Sequence, residues 1–118
     1  MPSTLQAIAS AVGRLRSVFE RRPEAALHDD TPARARWQGG ARVVTAHAGM
    51  QFQTDLPVEL GGSGDQVTPG WLFRAGLASC AATSIVLAAA AEGIELGSLE
   101  VQAVSRPDAR GLPGITGR

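Results

Sequence analysis

The chain contains a single cysteine, Cys80, and the residues around it are small. Ser79 precedes it and Ala81 follows it, so another backbone or a small reagent could approach the sulfur closely. A free thiol has a pKa of about 8.5 and the middle of a helix does not lower it, so a reactive thiolate needs a cation from another element. All eleven basic residues of the chain are arginines. The alternative is that Cys80 is an inert apolar residue in a tight helix contact.

Other kinds of site find little support in the residue pattern. The two histidines, His28 and His47, share no metal-ligand spacing with Cys80, so no metal is expected. The glycine-rich stretch at 61–64 precedes a predicted helix, as phosphate-binding loops do. It lacks the lysine of a P-loop and the third glycine of a dinucleotide fingerprint, and no serine stands in a nucleophile elbow. The sequence therefore predicts neither a cofactor nor a metal.

Composition narrows the class of protein and its partners. Of the 118 residues, eleven are basic and eleven acidic, so no overall field favours a nucleic acid. A lone cysteine cannot form an internal disulfide, and the N-terminal segment lacks the order of a secretory signal, so we expect a cytoplasmic protein. The apolar run Ala75–Ala91 is rich in alanine and interrupted by serine and threonine. This pattern indicates a core helix, and no membrane association is expected.

The first 32 residues are expected to form a separate N-terminal unit. Apolar residues recur at helical spacing with arginines on the opposite face, which predicts an amphipathic helix over residues 4 to 22. The apolar residues are Leu5, Ile8, Val12, Leu15 and Phe19. Ser3 is a suitable N-cap and Pro23 ends the helix, after which an aperiodic segment indicates a linker. We therefore expect a helix and linker over residues 1–32 and one α+β domain over residues 33–118.

Three short β-like runs follow, separated by glycine-containing turns. They are ARARW (33–37), ARVVTAHA (41–48) and MQFQTDLP (50–57). In the third run, apolar residues and threonine alternate with glutamine and aspartate, as expected of a strand with one face in water. The pattern predicts an antiparallel meander whose apolar face covers another element.

A long apolar helix is the next predicted element. Thr68 is a suitable N-cap, Pro69 suits the first helical position, and Gly93 supplies a left-handed residue after Glu92. The helix is apolar on nearly all sides, so it is predicted to be buried at the centre of the fold, with the meander packed on it. A last strand is predicted over residues 99–104.

The order of these elements, with the strings DLPVELGGSG, TP, ASC, EGIELGSLEV and DARG, resembles the OsmC/Ohr family of osmotically inducible and organic hydroperoxide resistance proteins. The resemblance implies an OsmC-like α+β fold in which two subunits intertwine and their long central helices pack together. It also implies a peroxidase in which a thiolate attacks the O–O bond of an organic hydroperoxide and becomes a sulfenic acid. Cys80 stands where the family carries this attacking cysteine.

The residues that would assist Cys80 depart from the family pattern. Gly70 stands where active members carry a glutamate that orients the arginine beside the thiolate. That arginine normally follows a glycine pair in the first hairpin, where this chain has Ala41, and Arg42 comes one residue later. A shift of one residue along a strand turns a side chain to the opposite face, so Arg42 reaches Cys80 only through a local irregularity. Arg36 is the second candidate for the cation.

The family normally continues beyond DARG with further strands, helices and a second cysteine, so the resemblance implies that the C-terminal third of the domain is missing here. A sulfenic acid at Cys80 would then depend on an external thiol reductant. We therefore expect weak or vestigial reduction of organic hydroperoxides in oxidative stress defence, by a homodimer that associates through the central helix. The alternative is a non-catalytic dimeric module that binds a small apolar ligand or a protein partner.

Overall fold

The computed structural model describes residues 3–115. Within them the chain forms two α-helices and a three-stranded antiparallel sheet, joined by loops that contain short 3-10 turns. The helices are α1 (Thr4–Arg21) and α2 (Pro69–Ala91), and the strands are β1 (Ala35–Trp37), β2 (Val43–His47) and β3 (Met50–Thr54). This combination of helices and antiparallel sheet confirms the predicted α+β class.

α1 begins at a reciprocal capping box. The backbone N–H of Gln6 donates to the Ser3 hydroxyl at 3.1 Å, and the N–H of Ser3 donates to Gln6 Oε1 at 2.7 Å, so two otherwise unpaired donors are satisfied. The helix ends two residues before Pro23, which agrees with the predicted span to within one residue. α1 packs against α2, and Ser3 Oγ also donates to Glu95 at 2.8 Å. The division of the chain between residues 32 and 33 stays a prediction.

The sheet is the predicted meander, with strand order β1-β2-β3. Arg36 pairs with Val44, which pairs in turn with Gln53. Because side chains alternate along each strand, these residues share one face, which we call the polar face. The other face, which we call the apolar face, carries Trp37, Val43, Met50 and Phe52. One-sided patterning of this kind suits a sheet that packs against an apolar partner on one side only.

α2 starts and stops at the residues that the sequence indicates. The backbone N–H of Trp71 donates to Thr68 Oγ1 at 3.2 Å, and Pro69 occupies the first helical position. At the other end Gly93 has φ = 70°, a left-handed conformation that glycine adopts without strain. The N–H groups of Gly93 and Ile94 donate to the carbonyls of Ala90 and Ala89, which is a Schellman motif. Local sequence alone is therefore sufficient to set the length of α2.

The single chain does not by itself provide the predicted burial of α2. Of its 23 residues only Ala89 and Ala90 are buried, although α1 packs along part of the helix. The sheet makes no extensive contact with α2 in the described residues, so the meander does not cover the helix of its own chain. The radius of gyration is 19.9 Å, whereas a compact domain of this length has about 13 to 14 Å. α1 alone does not enclose α2, so most of α2 is exposed. Most of the apolar face of the sheet is exposed as well.

The last predicted strand is also absent from the described residues. The segment at 99–104 is extended but is assigned to no strand, and no backbone N–H or C=O at 95–107 bonds to another backbone group in this part of the chain. Val101 and Ala103 are half-buried beside Trp71 and Arg74 of α2. The side chains therefore alternate as expected, but a strand also needs a hydrogen-bonded neighbour, and residues 3–115 provide none.

Candidate functional site

Cys80 lies on an exposed side of α2. The helical spacing i, i+4, i+7, i+11 and i+14 places five exposed residues on this side, which we call the open stripe. They are Phe73, Leu77, Cys80, Ser84 and Leu87. Phe73 is 75% exposed and Leu77 is 58% exposed, whereas the opposite side of α2 is largely half-buried against the rest of the chain. The thiol therefore stands in an apolar surface that the single chain leaves uncovered.

The immediate surroundings of Cys80 leave its sulfur accessible. The thiol is free and exposed, and a Cβ added at Gly76, one turn earlier, would meet nothing within 4 Å. The side-chain hydrogen bonds of Arg42 and Arg74 go to other groups. A reagent can therefore reach the thiol, but within residues 3–115 no arginine is in hydrogen-bond contact with it to stabilise a thiolate.

Arg42 is held by two carboxylates. Its Nε donates to Asp55 Oδ2 at 2.9 Å, and its Nη2 donates to Asp65 Oδ1. Nη1 donates to Gln53 Oε1 at 3.0 Å, and Nη2 also donates to Ser63 Oγ at 3.2 Å. Asp65 and then Asp55 raise the pKa of Arg42 above its ordinary value. We call these five residues the Arg42 cluster.

Asp55 is the centre of this cluster and anchors the loop between β3 and α2. Its side chain accepts the backbone N–H groups of Leu56 at 2.7 Å and Ser63 at 3.2 Å, and the Ser63 hydroxyl at 2.9 Å. The Arg42 guanidinium, and then these further donors, lower the pKa of Asp55 to about 2. The residue is only 1% exposed, and its burial is compatible with a charge because every carboxylate oxygen is hydrogen-bonded.

The glycine-rich stretch wraps this buried carboxylate. A Cβ added at Gly62 would lie 1.9 Å from the Leu56 carbonyl oxygen and 2.7 Å from Asp55 Oδ1, so no side chain fits there. The backbone N–H of Gly64 donates to the same Leu56 carbonyl at 3.1 Å, which closes the loop. The glycines thus serve a tight turn around Asp55, which accounts for a pattern that resembles a phosphate loop only superficially.

Arg36 and Arg74 lie in two further places. Arg36 lines a groove on the polar face beside Val44 and Gln53. Arg74 donates to Ser105 Oγ at 3.1 Å, and a Cβ added at Gly70 would lie 3.5 Å from Arg74 Nη1. Arg74 is therefore a cation beside the position where the resemblance calls for a glutamate. The i, i+4 spacing of residues 70 and 74 is a sequence signal that could have indicated this contact.

The single chain does not bring the candidate site residues together. Arg42 and Arg36 both lie on the polar face, and the hydrogen bonds of Arg42 go to the Arg42 cluster and not to Cys80. The pairing of either arginine with Cys80 stays a prediction. Sequence reasoning missed the Arg42 cluster, although the alternation that places Gln53 and Asp55 on one face is visible in the third β-like run.

The described residues were compared with the requirements of a metal site and of a membrane-spanning helix. Within residues 3–115, no three His, Cys, Asp or Glu side chains are grouped so that they could hold a metal ion. By length and composition alone, α2 is long and apolar enough to cross a membrane, and the core helix of a soluble protein has the same properties.

Comparison with known proteins identifies the fold. No family model and no curated protein sequence matches the chain. A crystal structure from Psychrobacter arcticus 273-4, of a protein named for osmotic stress induction and detoxification response, superposes with a TM-score of 0.52 and 29% identity. The match covers 60% of this chain and 53% of that protein, so the chain spans about half the length of the structure that it matches. The resemblance seen in the sequence is thereby confirmed: the chain has an OsmC-like α+β fold.

Proposed function

We propose that a dimer of this chain reduces organic hydroperoxides slowly, with Cys80 as the attacking thiol. The observation that carries the proposal is the position of Cys80 on the open stripe, an apolar surface on which the apolar part of a hydroperoxide would bind beside the thiol, between the two copies of the dimer. The structural neighbour is named for osmotic stress induction and a detoxification response, which supports a protective role of the same general kind.

The proposed reaction needs one thiol of the protein and two external thiols. The Cys80 thiolate attacks one peroxide oxygen, the O–O bond breaks, and the leaving alkoxide takes a proton to become an alcohol. Cys80 is then a sulfenic acid. An external thiol condenses with it to a mixed disulfide and releases water, and a second external thiol releases the Cys80 thiol and leaves as part of a disulfide. We propose an external thiol as the reductant because these 118 residues contain one cysteine, Cys80.

The dimer is part of the proposal because two apolar surfaces are open in the single chain. On the apolar face of the sheet, Trp37 is 70% exposed and Phe52 is 48% exposed, and the open stripe of α2 adds Phe73 and Leu77. Contiguous apolar surfaces of this kind are rare on soluble monomers and are typical of interfaces. A second copy presents the same two surfaces, so a two-fold symmetric pair can cover both.

A soluble dimer accounts for the apolar character of α2 without a membrane. Arg74, Ser79, Thr83 and Ser84 interrupt the helix with polar groups, which are costly in the hydrocarbon core of a bilayer. These polar groups are less costly at a contact with a second α2 helix than in a bilayer, because the backbone and side chains of that helix offer hydrogen bonds. We therefore place the dimer in the cytoplasm, where a single free thiol stays reduced.

We expect the reaction to be slow because, among residues 3–115, no arginine is in hydrogen-bond contact with Cys80. An arginine or another positive group within hydrogen-bond distance lowers the pKa of a catalytic thiol and stabilises the thiolate. The two guanidinium edges of Arg42 are committed to Asp55 and Asp65, and Arg36 lies on the polar face.

Trapping of the sulfenic acid tests this proposal directly. The reduced protein is mixed with a small excess of cumene hydroperoxide in the presence of dimedone, and the adduct is located by mass spectrometry. We expect the adduct on Cys80 to form faster in the folded protein than in the same protein unfolded in urea, because the apolar surface beside Cys80 holds the hydroperoxide close to the thiol. Cys80→Ser should form no adduct. Equal rates in the folded and unfolded protein would show that the fold does not assist the thiol, and the enzyme proposal would fail.

The second candidate function is a non-catalytic dimeric module that binds a small apolar ligand or a protein partner. The commitment of Arg42 to its carboxylates favours it, because the residue closest to the family arginine then has a structural role. Cys80→Ser separates the two candidates. A binding module keeps its stability and its affinity for an apolar fluorescent probe after this substitution, whereas a peroxidase loses all turnover.

A further inference from the structure

The polar face of the sheet forms a groove with a volume of about 600 Å³, which is within the range of small-molecule sites. Arginines before and within β1 form one wall, glutamines of β3 form the other, and small apolar residues of β2 form the floor. These residues are Arg34, Arg36, Gln51, Gln53, Val44 and Ala46. Arg36 and Gln53 lie on either side of Val44 in the paired strands, so the walls are about 10 Å apart.

The groove carries positive charge that the rest of the chain does not neutralise. Arg34 and Arg36 are both exposed, and neither takes part in an ion pair within residues 3–115. No acidic residue lines the groove. The carboxylate of Asp55, which shares this face, is already held by Arg42. Two guanidinium groups are therefore free to meet an anion from outside the chain.

Gln53 adds hydrogen-bond donors to the opposite wall. Its Oε1 accepts a hydrogen bond from Arg42 Nη1 at 3.0 Å, and this contact sets the orientation of the amide. With the oxygen engaged, the amide has its two N–H donors left for a ligand. The Arg42 cluster thus positions Gln53 as a donor.

From this geometry we infer that the groove binds the phosphate monoester group of a small molecule. A doubly charged phosphate has enough oxygens to accept hydrogen bonds from both guanidinium groups at the same time. A carboxylate has two oxygens and pairs with one guanidinium group. The body of the ligand lies over the apolar floor formed by Val44 and Ala46, and its far end accepts hydrogen bonds from Gln53. The groove is on the side of the sheet opposite Trp37 and Phe52, so this inference does not depend on the proposed dimer or on Cys80.

Titration calorimetry with adenosine monophosphate as the probe tests the inference. Adenosine serves as the same molecule without the phosphate, and inorganic phosphate as the anion without a body. We expect saturable binding of the monophosphate, at one site per chain, and binding of adenosine and of inorganic phosphate that is weaker by about tenfold or more. Adenosine lacks the charge-assisted contacts with the two arginines, and inorganic phosphate lacks the contacts of the ligand body with the floor and with Gln53. Comparable affinity for adenosine or for inorganic phosphate would overturn the assignment.

A pair of charge-matched double variants separates the groove from general electrostatics. Arg34→Gln with Arg36→Gln removes the two groove cations, and Arg14→Gln with Arg21→Gln removes two exposed arginines of α1. We expect the groove variant to lose about tenfold or more in affinity for adenosine monophosphate, and the α1 variant to keep the affinity of the unmodified protein. An equal loss in both variants, or no saturable binding to the unmodified protein, would contradict the inference.

Discussion

Truncation of Phe73 measures whether the open stripe is an interface. Phe73 is 75% exposed in the single chain, and complete burial of a phenylalanine side chain contributes about 1.5–3 kcal/mol. Covering the exposed three quarters therefore stabilises a dimer by about 1–2 kcal/mol for each copy, or about 2–4 kcal/mol for the symmetric pair. Since about 1.4 kcal/mol corresponds to a factor of ten, Phe73→Ala is expected to raise the dimer Kd by roughly 30- to 1,000-fold.

Sedimentation equilibrium over a series of protein concentrations gives this Kd for the unmodified protein and for the variant. Leu27→Ala is the matched control, because Leu27 is 84% exposed and lies outside the open stripe and the sheet. We expect Leu27→Ala to leave the Kd unchanged. If the unmodified protein stays monomeric over the whole series, or if the two variants behave alike, the open stripe is not the dimer interface and the proposed dimer loses its main physical support.

Three further predictions concern Asp55 of the Arg42 cluster, Gly62 in the loop around Asp55, and Gly13 in α1. Folding lowers the pKa of Asp55 from 3.8 to about 2, so the ionised Asp55 carboxylate stabilises the folded protein fully above about pH 4, and this stabilisation is lost as the pH falls towards 2. Thermal melts followed by circular dichroism should show the decline in Tm over this range. Asp55→Asn should lower the Tm at neutral pH and make the decline smaller. Gly62→Ala should destabilise the protein by about 1–3 kcal/mol or more in urea titrations, since its Cβ would collide with the Leu56 carbonyl oxygen. Gly13→Ala, in the exposed part of α1 where nothing lies within 4 Å of the new Cβ, should instead stabilise by about 0.5–1 kcal/mol, and the same sign for both glycine variants would contradict the steric argument.

The elements themselves were predictable from the sequence because their determinants are local. The Ser3 capping box, the Thr68 cap and the Gly93 terminus each act within a few residues, so reading the chain in order was enough to place α1 and α2. The alternation along the third β-like run likewise predicted both β3 and the faces of the sheet. The shift of one residue at Arg42 predicted a side chain on the face opposite to that of the family arginine, and in the structure Arg42 lies on the polar face beside Gln53.

The predicted burial of α2 is not met within the single chain. Apolar character shows that a surface needs a partner, but it does not show that the partner is in the same chain. α2 and the segment at 99–104 both have the side-chain pattern of packed elements, yet α2 stays exposed and the segment lacks a backbone neighbour. The Arg42 cluster was missed for a related reason, because its members are brought together by the loop around Asp55 rather than by regular spacing.

The amino-acid sequence by itself determined the helices, the strands, the OsmC-like order of elements and the position of Cys80 midway along α2, since these follow from caps, turns and periodicity over short distances. Only the tertiary structure decided that Arg42 is bound to Asp55 and Asp65, that Arg36 faces a groove, and that Cys80 stands on an open surface. The physical reason is that charge pairing and burial depend on residues far apart in the chain, and loop geometry fixes which of the available partners come within bonding distance.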